Sequence, residues 1–306
     1  MIPPPPTPPP PPPEAKKDDR TPASIPASTN FYENRPISFT HIPKCSGTSF
    51  ISIMKPKYHE QNCYLEMAHH RDGGNTMNCV FIRSPRSHVQ SQFLECVYDA
   101  WGKIVTSGTA FPRTEDLQDD FKKWLEHFVA LDTRTDYGTT VDYNCIDPRN
   151  VMARHMSCQR APNPQANHAL SVPPELTVAI ENVAKDATFI GVTDFFHESI
   201  CLLQLRREGS LPPGCGCDAA AEAARNKKKE VHITHDVPPH NSDQFPKDIR
   251  IMLNSLTQLD RQLFVAGLKR FMEDMDVAER VVNRKFWCNR TKAYDLLELY
   301  SHPREE

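Results

Sequence analysis

Six consecutive residues, Lys44 to Ser49 (KCSGTS), combine the groups that an anion needs. Lys44 supplies a cation, Ser46, Thr48 and Ser49 supply hydroxyl donors, and Cys45 is small enough not to obstruct them. Gly47 lets the backbone come close to a bound group. Upstream, Ile37, Phe39, Thr40 and Ile42 alternate as in a strand that stops at Pro43, which cannot donate to a sheet ladder. Downstream, Phe50, Ile51 and Ile53 read as the buried side of a helix. Strand, small polar loop and helix together present backbone N–H groups at a helix N-terminus, where anions bind. The common nucleotide loop has a glycine, four residues and then Gly-Lys-Ser/Thr, whereas here the lysine precedes the glycine. The plainer reading of the stretch is a strand-turn-helix with an incidental lysine.

A second constellation lies in Asn78 to Phe93 (NCVFIRSPRSHVQSQF). Cys79 to Ile82 form a short apolar run, as in a parallel strand buried on both faces. Ser84 and Pro85 suit an N-cap and a first helical position, and the helix is expected to run to about Trp101. Arg83 would leave the strand at its C-terminal end, with Ser91 about two turns along the helix. A guanidinium fork and a hydroxyl make a phosphate clamp. Between the two constellations, a strand is expected over Asn62 to Ala68 (NCYLEMA), followed by His69 and His70. A histidine at a strand end can act as general base, because its ordinary pKa lies near working pH. Two solvated imidazoles on a surface turn are the plainer reading. Glu66, within the strand, is the rival base.

The string HIPKCSGTS resembles the 5′-phosphosulfate loop of sulfotransferases, with Cys45 and Ser46 where threonine and glycine are usual. The second constellation is similar to that family's 3′-phosphate motif. Phe81, Arg83, Pro85, Ser91 and Phe93 fall in register, His88 stands where a second arginine is usual, and Ser84 where aspartate is common. Thr188 to Arg207 resembles a third family segment, with Asp194 for glutamate and Phe195 for arginine, and LTQLDRQLFVAGLKRF resembles a late helix. The likeness spans roughly residues 37 to 272. It implies a P-loop-like sulfotransferase fold and 3′-phosphoadenosine 5′-phosphosulfate (PAPS) as co-substrate, held by Lys44, Cys45, Ser46, Gly47, Thr48, Ser49, Arg83 and Ser91. It further implies sulfuryl transfer to a carbohydrate hydroxyl, Lys44 stabilising charge and His69 or His70 as base, with no metal. Arg149, Arg154 and His155 correspond to a region that meets acidic sugars. The family works in the Golgi lumen behind an N-terminal membrane anchor; none is visible here, so an anchor is expected upstream or not at all.

Around these stretches the rest of the chain reads as scaffold. The 306 residues divide into a proline-rich stem or linker, 1–30, and a domain, 31–306. Pro3 to Pro6 and Pro8 to Pro13 favour an extended polyproline segment, a spacer or a ligand for a proline-binding domain. The fold class is α/β, a mostly parallel central sheet with flanking helices. Helical spacing marks Asp116 to Leu131, Asp147 to Cys158, Glu175 to Ala184, Asp248 to Phe271 and parts of Met275 to Tyr300. A net charge of −3 argues against a nucleic-acid partner. No apolar run is long enough for a membrane helix, and the first residues carry no apolar signal core. Ten cysteines include no CxxC pair and no zinc spacing. Cys215 and Cys217, in a Pro-Pro-Gly-Cys-Gly-Cys turn, favour disulfides and an oxidising compartment, against a cytosolic alternative with buried thiols. The sequon Asn289-Arg290-Thr291 suits a glycoprotein. Arg225 to Lys229 is a basic cluster, either solvated or set against the 3′-phosphate or an anionic acceptor. Two other functions fit a strand-loop-helix anion site: a nucleotide phosphotransferase, and a silent relative that binds glycan or PAPS without transfer.

Overall fold

The computed structural model describes residues 35–54, 58–61, 76–131, 143–157, 173–218, 220–222, 237 and 245–302. For 58–61 the description is of the backbone. The stem 1–30, His69, His70, Glu66 and the basic cluster 225–229 lie outside the described residues.

Among the described residues four parallel strands form the sheet: β1 Ile37–Thr40, β2 Tyr58–Gln61, β3 Met77–Ile82 and β4 Phe189–Val192. Their order is β2-β1-β3-β4. Ile37 pairs with Tyr58 on one side and Met77 on the other, and Cys79 pairs with Phe189. Every residue of β1, β3 and β4 is buried, as a parallel sheet covered on both faces requires. The neighbour of β1 is thus Tyr58–Gln61, a few residues before the strand expected over 62–68.

Ten helices among the described residues flank the sheet and extend from it. They are α1 Gly47–Met54, α2 Pro85–Tyr98, α3 Ala100–Val105, α4 Leu117–Ala130, α5 Val151–Ser157, α6 Leu176–Glu181, α7 Phe196–Glu208, α8 Lys247–Leu256, α9 Gln258–Val282 and α10 Arg290–Ser301. α4 begins where its cap says it should: Asp116 accepts from the N–H groups of Gln118 and Asp119, both at 3.0 Å. α7 ends at Gly209, which is left-handed at φ 69°.

Two expectations need correction. Ile53 is 42% exposed; α1 buries Phe50 as expected, and Met54 takes the place of Ile53. The helix expected over 248–271 is two helices, because Thr257 (φ −121°, ψ 25°) leaves helical geometry. Asn150 holds that break open, since its N–H donates to the Leu256 carbonyl at 3.0 Å and its side-chain oxygen accepts from Leu259 N at 2.9 Å.

The core has two parts. Around the sheet, Phe39, Phe50, Phe81 and Phe189 pass from ring to ring at centroid distances of 4.3, 5.5 and 6.0 Å. A second cluster joins the outer half of α2 to α4 and α8 through Phe93, Trp124, Phe128 and Leu253. α2 therefore has one end at the sheet and the other in a separate core. Among the described residues, three disulfides tie the fold: Cys96–Cys145, Cys201–Cys215 and Cys217–Cys288. They fit a luminal or secreted protein. Among the described residues, no helix is long and apolar enough to cross a membrane.

Candidate anion site between two strand ends

Both expected phosphate turns lie at the same edge of the sheet. β1 and β3 are adjacent and parallel, so their C-terminal ends emerge side by side. β2 lies outside β1 and β4 outside β3. The chain thus leaves β1 toward one side and β3 toward the other. In open α/β sheets the crevice at such a reversal is where ligands bind.

The first turn runs from Pro43 to Ser46. Lys44 and Ser46 are left-handed, at φ 64° and 61°, without being glycine. Each costs on the order of 1 kcal/mol relative to a relaxed backbone. In return, α1 starts at Gly47, earlier than its apolar residues suggest, and Phe50 N donates to Ser46 O at 2.9 Å. Helix geometry turns the N–H groups at the start of α1 toward the loop, the end of a helix at which anions bind. Gly47 has a neighbour that the sequence hides: the His41 imidazole lies where a Cβ would be, so any larger residue would have to displace it. Cys45 departs from its expected role. Its N–H donates to Ile42 O at 3.1 Å and its side chain sits in the sheet core, so it offers an anion neither group. Burial pushes its thiol well above the ordinary range.

The second turn supports the first. Arg83 Nη1 donates to the Lys44 carbonyl at 3.1 Å, and its Nε donates to Ser87 Oγ at 3.1 Å. Ser87, one helical turn along, is therefore the hydroxyl bonded to Arg83. Ser91, the expected partner, is buried on α2 and no described bond joins it to Arg83. His88 occupies the place of the family's second arginine and is buried, with Nε2 2.7 Å from Pro43 O. Burial lowers its pKa to about 3, so the ring is neutral. The Gln92 amide nitrogen lies 3.0 Å from Nε2 and 3.4 Å from Nδ1; with Nε2–H donating to Pro43 O, Nδ1 is the acceptor left for that amide. Lys44 Nζ lies 3.4 Å from a Glu95 carboxylate oxygen, with both side chains mostly enclosed. Glu95 was not expected in the site; its only sequence signal is its place one turn beyond Ser91.

The second turn has its own support. Ser84 and Pro85 occupy the expected N-cap and first helical positions, but the Ser84 hydroxyl does not cap. It donates to Asp194 at 2.6 Å, and Ser84 N donates to the same carboxylate at 2.8 Å. Behind Arg83 lies α5, whose Met152 sulfur accepts from Arg83 N at 3.5 Å. Asp260 accepts from Met152 N at 3.2 Å and Ala153 N at 2.8 Å. Burial raises its pKa to about 7, opposed by those N–H groups.

Arg149, Arg154 and His155, expected near an acceptor, are all buried. Arg149 donates to Asp147 at 2.7 Å and Arg154 to the Asp147 carbonyl at 2.5 Å. Against the upward push of burial, Arg154 and Arg149 hold the Asp147 carboxyl below its usual range. Their described bonds make this group a scaffold ion cluster. One set of metal-ligand types occurs among the described residues, His197, Cys201 and Cys215. Its two sulfurs form a disulfide, leaving a single imidazole as a ligand. The chain matches no protein-family model, and no curated protein matches it.

Proposed function

We propose that the chain is a PAPS-dependent O-sulfotransferase acting on a carbohydrate hydroxyl. The observation that carries this reading is the meeting of the two turns: the guanidinium after β3 is bonded to the backbone of the lysine after β1. A donor with a phosphosulfate at one end and a 3′-phosphate at the other suits two cationic turns on neighbouring strand ends. Lys44 and the N–H groups at the start of α1 would face the phosphosulfate, and Arg83 the 3′-phosphate.

In the proposed reaction the acceptor oxygen attacks sulfur. The bond from sulfur to the bridging phosphate oxygen breaks, and its electron pair leaves with 3′-phosphoadenosine 5′-phosphate (PAP). The acceptor proton passes to His69 or His70, with Glu66 the alternative base. Charge grows on the bridging oxygen as the bond breaks, so Lys44 acts more strongly in the transition state than in the ground state. The three disulfides suit work in the lumen of the secretory route, within which the Golgi is the proposed site.

The test is a transfer screen with sulfur-labelled PAPS over neutral and anionic polysaccharides, beside thermal-shift titrations with PAPS and ATP. Stabilisation by PAPS together with label on one glycan class is expected. ATP stabilisation without PAPS stabilisation would replace this reading with phosphoryl transfer. PAPS stabilisation without label on any glycan would make the chain a binding relative.

A further inference from the structure

Lys44 is held at its backbone and paired at its tip by two different parts of α2's neighbourhood. Its carbonyl accepts from Arg83, which fixes the main chain, while its ammonium lies against Glu95. Between those points run four methylenes of flexible stem. Glu95 itself has little freedom to follow. Its carbonyl accepts from Asp99 N at 3.0 Å. Gly102 of α3 packs so closely on that carbonyl and on Cys96 that a Cβ would collide with them. Next to it, Cys96 is disulfide-bonded to Cys145, and its carbonyl accepts from Arg113 Nη2 at 2.8 Å. A glutamate and a lysine with pinned backbones, joined through a flexible lysine stem, make an arm with two destinations for its charge.

The pair is also well placed to matter. Lys44 and Glu95 side chains are 12% and 17% exposed, so water screens their attraction far less than at an open surface. A carboxylate beside an anion-binding loop competes with any incoming anion for the same cation.

We propose that Glu95 is a positioning residue for Lys44, holding the ammonium while the loop carries no anion and yielding it to the phosphosulfate oxygens when the donor enters. For the identity of the anion this rests on the sulfuryl-transfer reading. Glu95 and the donor then compete for one cation, and linkage makes the competition reciprocal. Removing the carboxylate charge strengthens donor binding, whereas loss of a merely structural ion pair would weaken it.

The experiment compares wild type with Glu95→Gln by calorimetric titration with PAP, and by the rate at which an acylating reagent modifies Lys44, read by peptide mass spectrometry. Glu95→Gln is expected to bind PAP about fivefold tighter, the low end of coupling between linked sites. Lys44 in the ligand-free variant should acylate severalfold faster than in wild type, and PAP should protect it in both. Unchanged or weaker PAP binding by Glu95→Gln overturns the proposal. If wild type binds no PAP, the sulfuryl-transfer reading fails, and the acylation rates alone decide: equal rates in the two ligand-free proteins overturn the Lys44–Glu95 exchange. Should Glu95→Gln not fold, Glu95→Asp, one methylene short of the ammonium, must show the same direction with smaller size, and no change in either readout overturns it.

Discussion

The two strand-to-helix turns have the same outline and opposite mechanics. The turn after β1 carries two left-handed non-glycine residues. It is held from outside: Pro43 O by His88, Lys44 O by Arg83 and Lys44 Nζ by Glu95. The turn after β3 has no left-handed residue and rests on Asp194 at the end of β4. Support therefore runs one way, from β4 to the β3 turn and from there to the β1 turn. A strained anion loop can exist because its neighbour is not strained. Damage to the first turn should stay local, and damage to the second should reach both.

Lys44→Ala tests the local end and should have the largest effect. Turnover should fall by roughly a hundredfold or more, since a preorganised charge at a developing oxyanion acts on that scale, while the thermal midpoint stays near wild type. Near-normal kcat would remove Lys44 from the chemistry. Arg83→Ala should act on both turns. Binding of PAP should weaken by roughly ten- to a hundredfold, as for loss of charge-assisted bonds, and far more than binding of an analogue without the 3′-phosphate. Equal losses for the two ligands would show that Arg83 does not hold that phosphate.

Asp194→Ala carries the comparison further from the ligand. It strips two bonds from Ser84 and should lower unfolding free energy by about 2 kcal/mol, with weaker PAP binding although Asp194 is two removes from the Lys44 turn. Denaturant titration and calorimetry would measure both. Lost stability with unchanged PAP affinity would break the one-way chain of support.

The smallest effect is the net slope of the wild type against pH, because two buried groups oppose each other there. His88 has a folded pKa near 3 and an unfolded value near 6.5, so its contribution is present above about 6.5 and lost as pH falls. Asp260 has a folded pKa near 7 against an ordinary value of 3.8, so its contribution is present at low pH and lost as pH rises through about 7. Between about pH 4 and 6.5 the two oppose each other. His88→Gln should leave thermal midpoints that fall with rising pH, and Asp260→Asn should leave midpoints that rise. Parallel profiles in the two variants would contradict the assignment of either group.

What the sequence revealed of this site was its local part. The strand before the loop and the helix start at Ser84 and Pro85 both depend on a few adjacent residues, although the strand ends at Thr40 and not at Pro43. The supports were hidden because each is a contact across the fold. His88 is visible as a replaced arginine, but nothing local says that its imidazole reaches Pro43 O. Ser87 and Ser91 are one turn apart, and only the side-chain direction of Arg83 selects Ser87. The break at Thr257 is invisible for the same reason. Leu253, Leu256 and Leu263 keep an apolar rhythm through it, while the residue that interrupts the helix, Asn150, is more than a hundred positions away. The expected acceptor arginines failed differently: Arg149 and Arg154 meet Asp147, a neighbour in the chain whose pairing consumes them.

The separation of these contacts along the chain has a kinetic meaning. Arg83 reaches back 39 positions to Lys44, and Asp194 reaches back 110 to Ser84. Contacts of that span close only after long loops have lost their freedom, which makes parallel sheets slow to fold. During refolding, α4 with its own cap can form early, whereas the Lys44 turn must wait for β4 to dock. Pulse-labelling hydrogen exchange should find the amides of α4 protected in the fast phase and the bonded amides of the Lys44 turn, Cys45 and Phe50, only in the last. The Lys44 turn would then be a late event in the life of each molecule, and competence to bind an anion there a report that folding has finished.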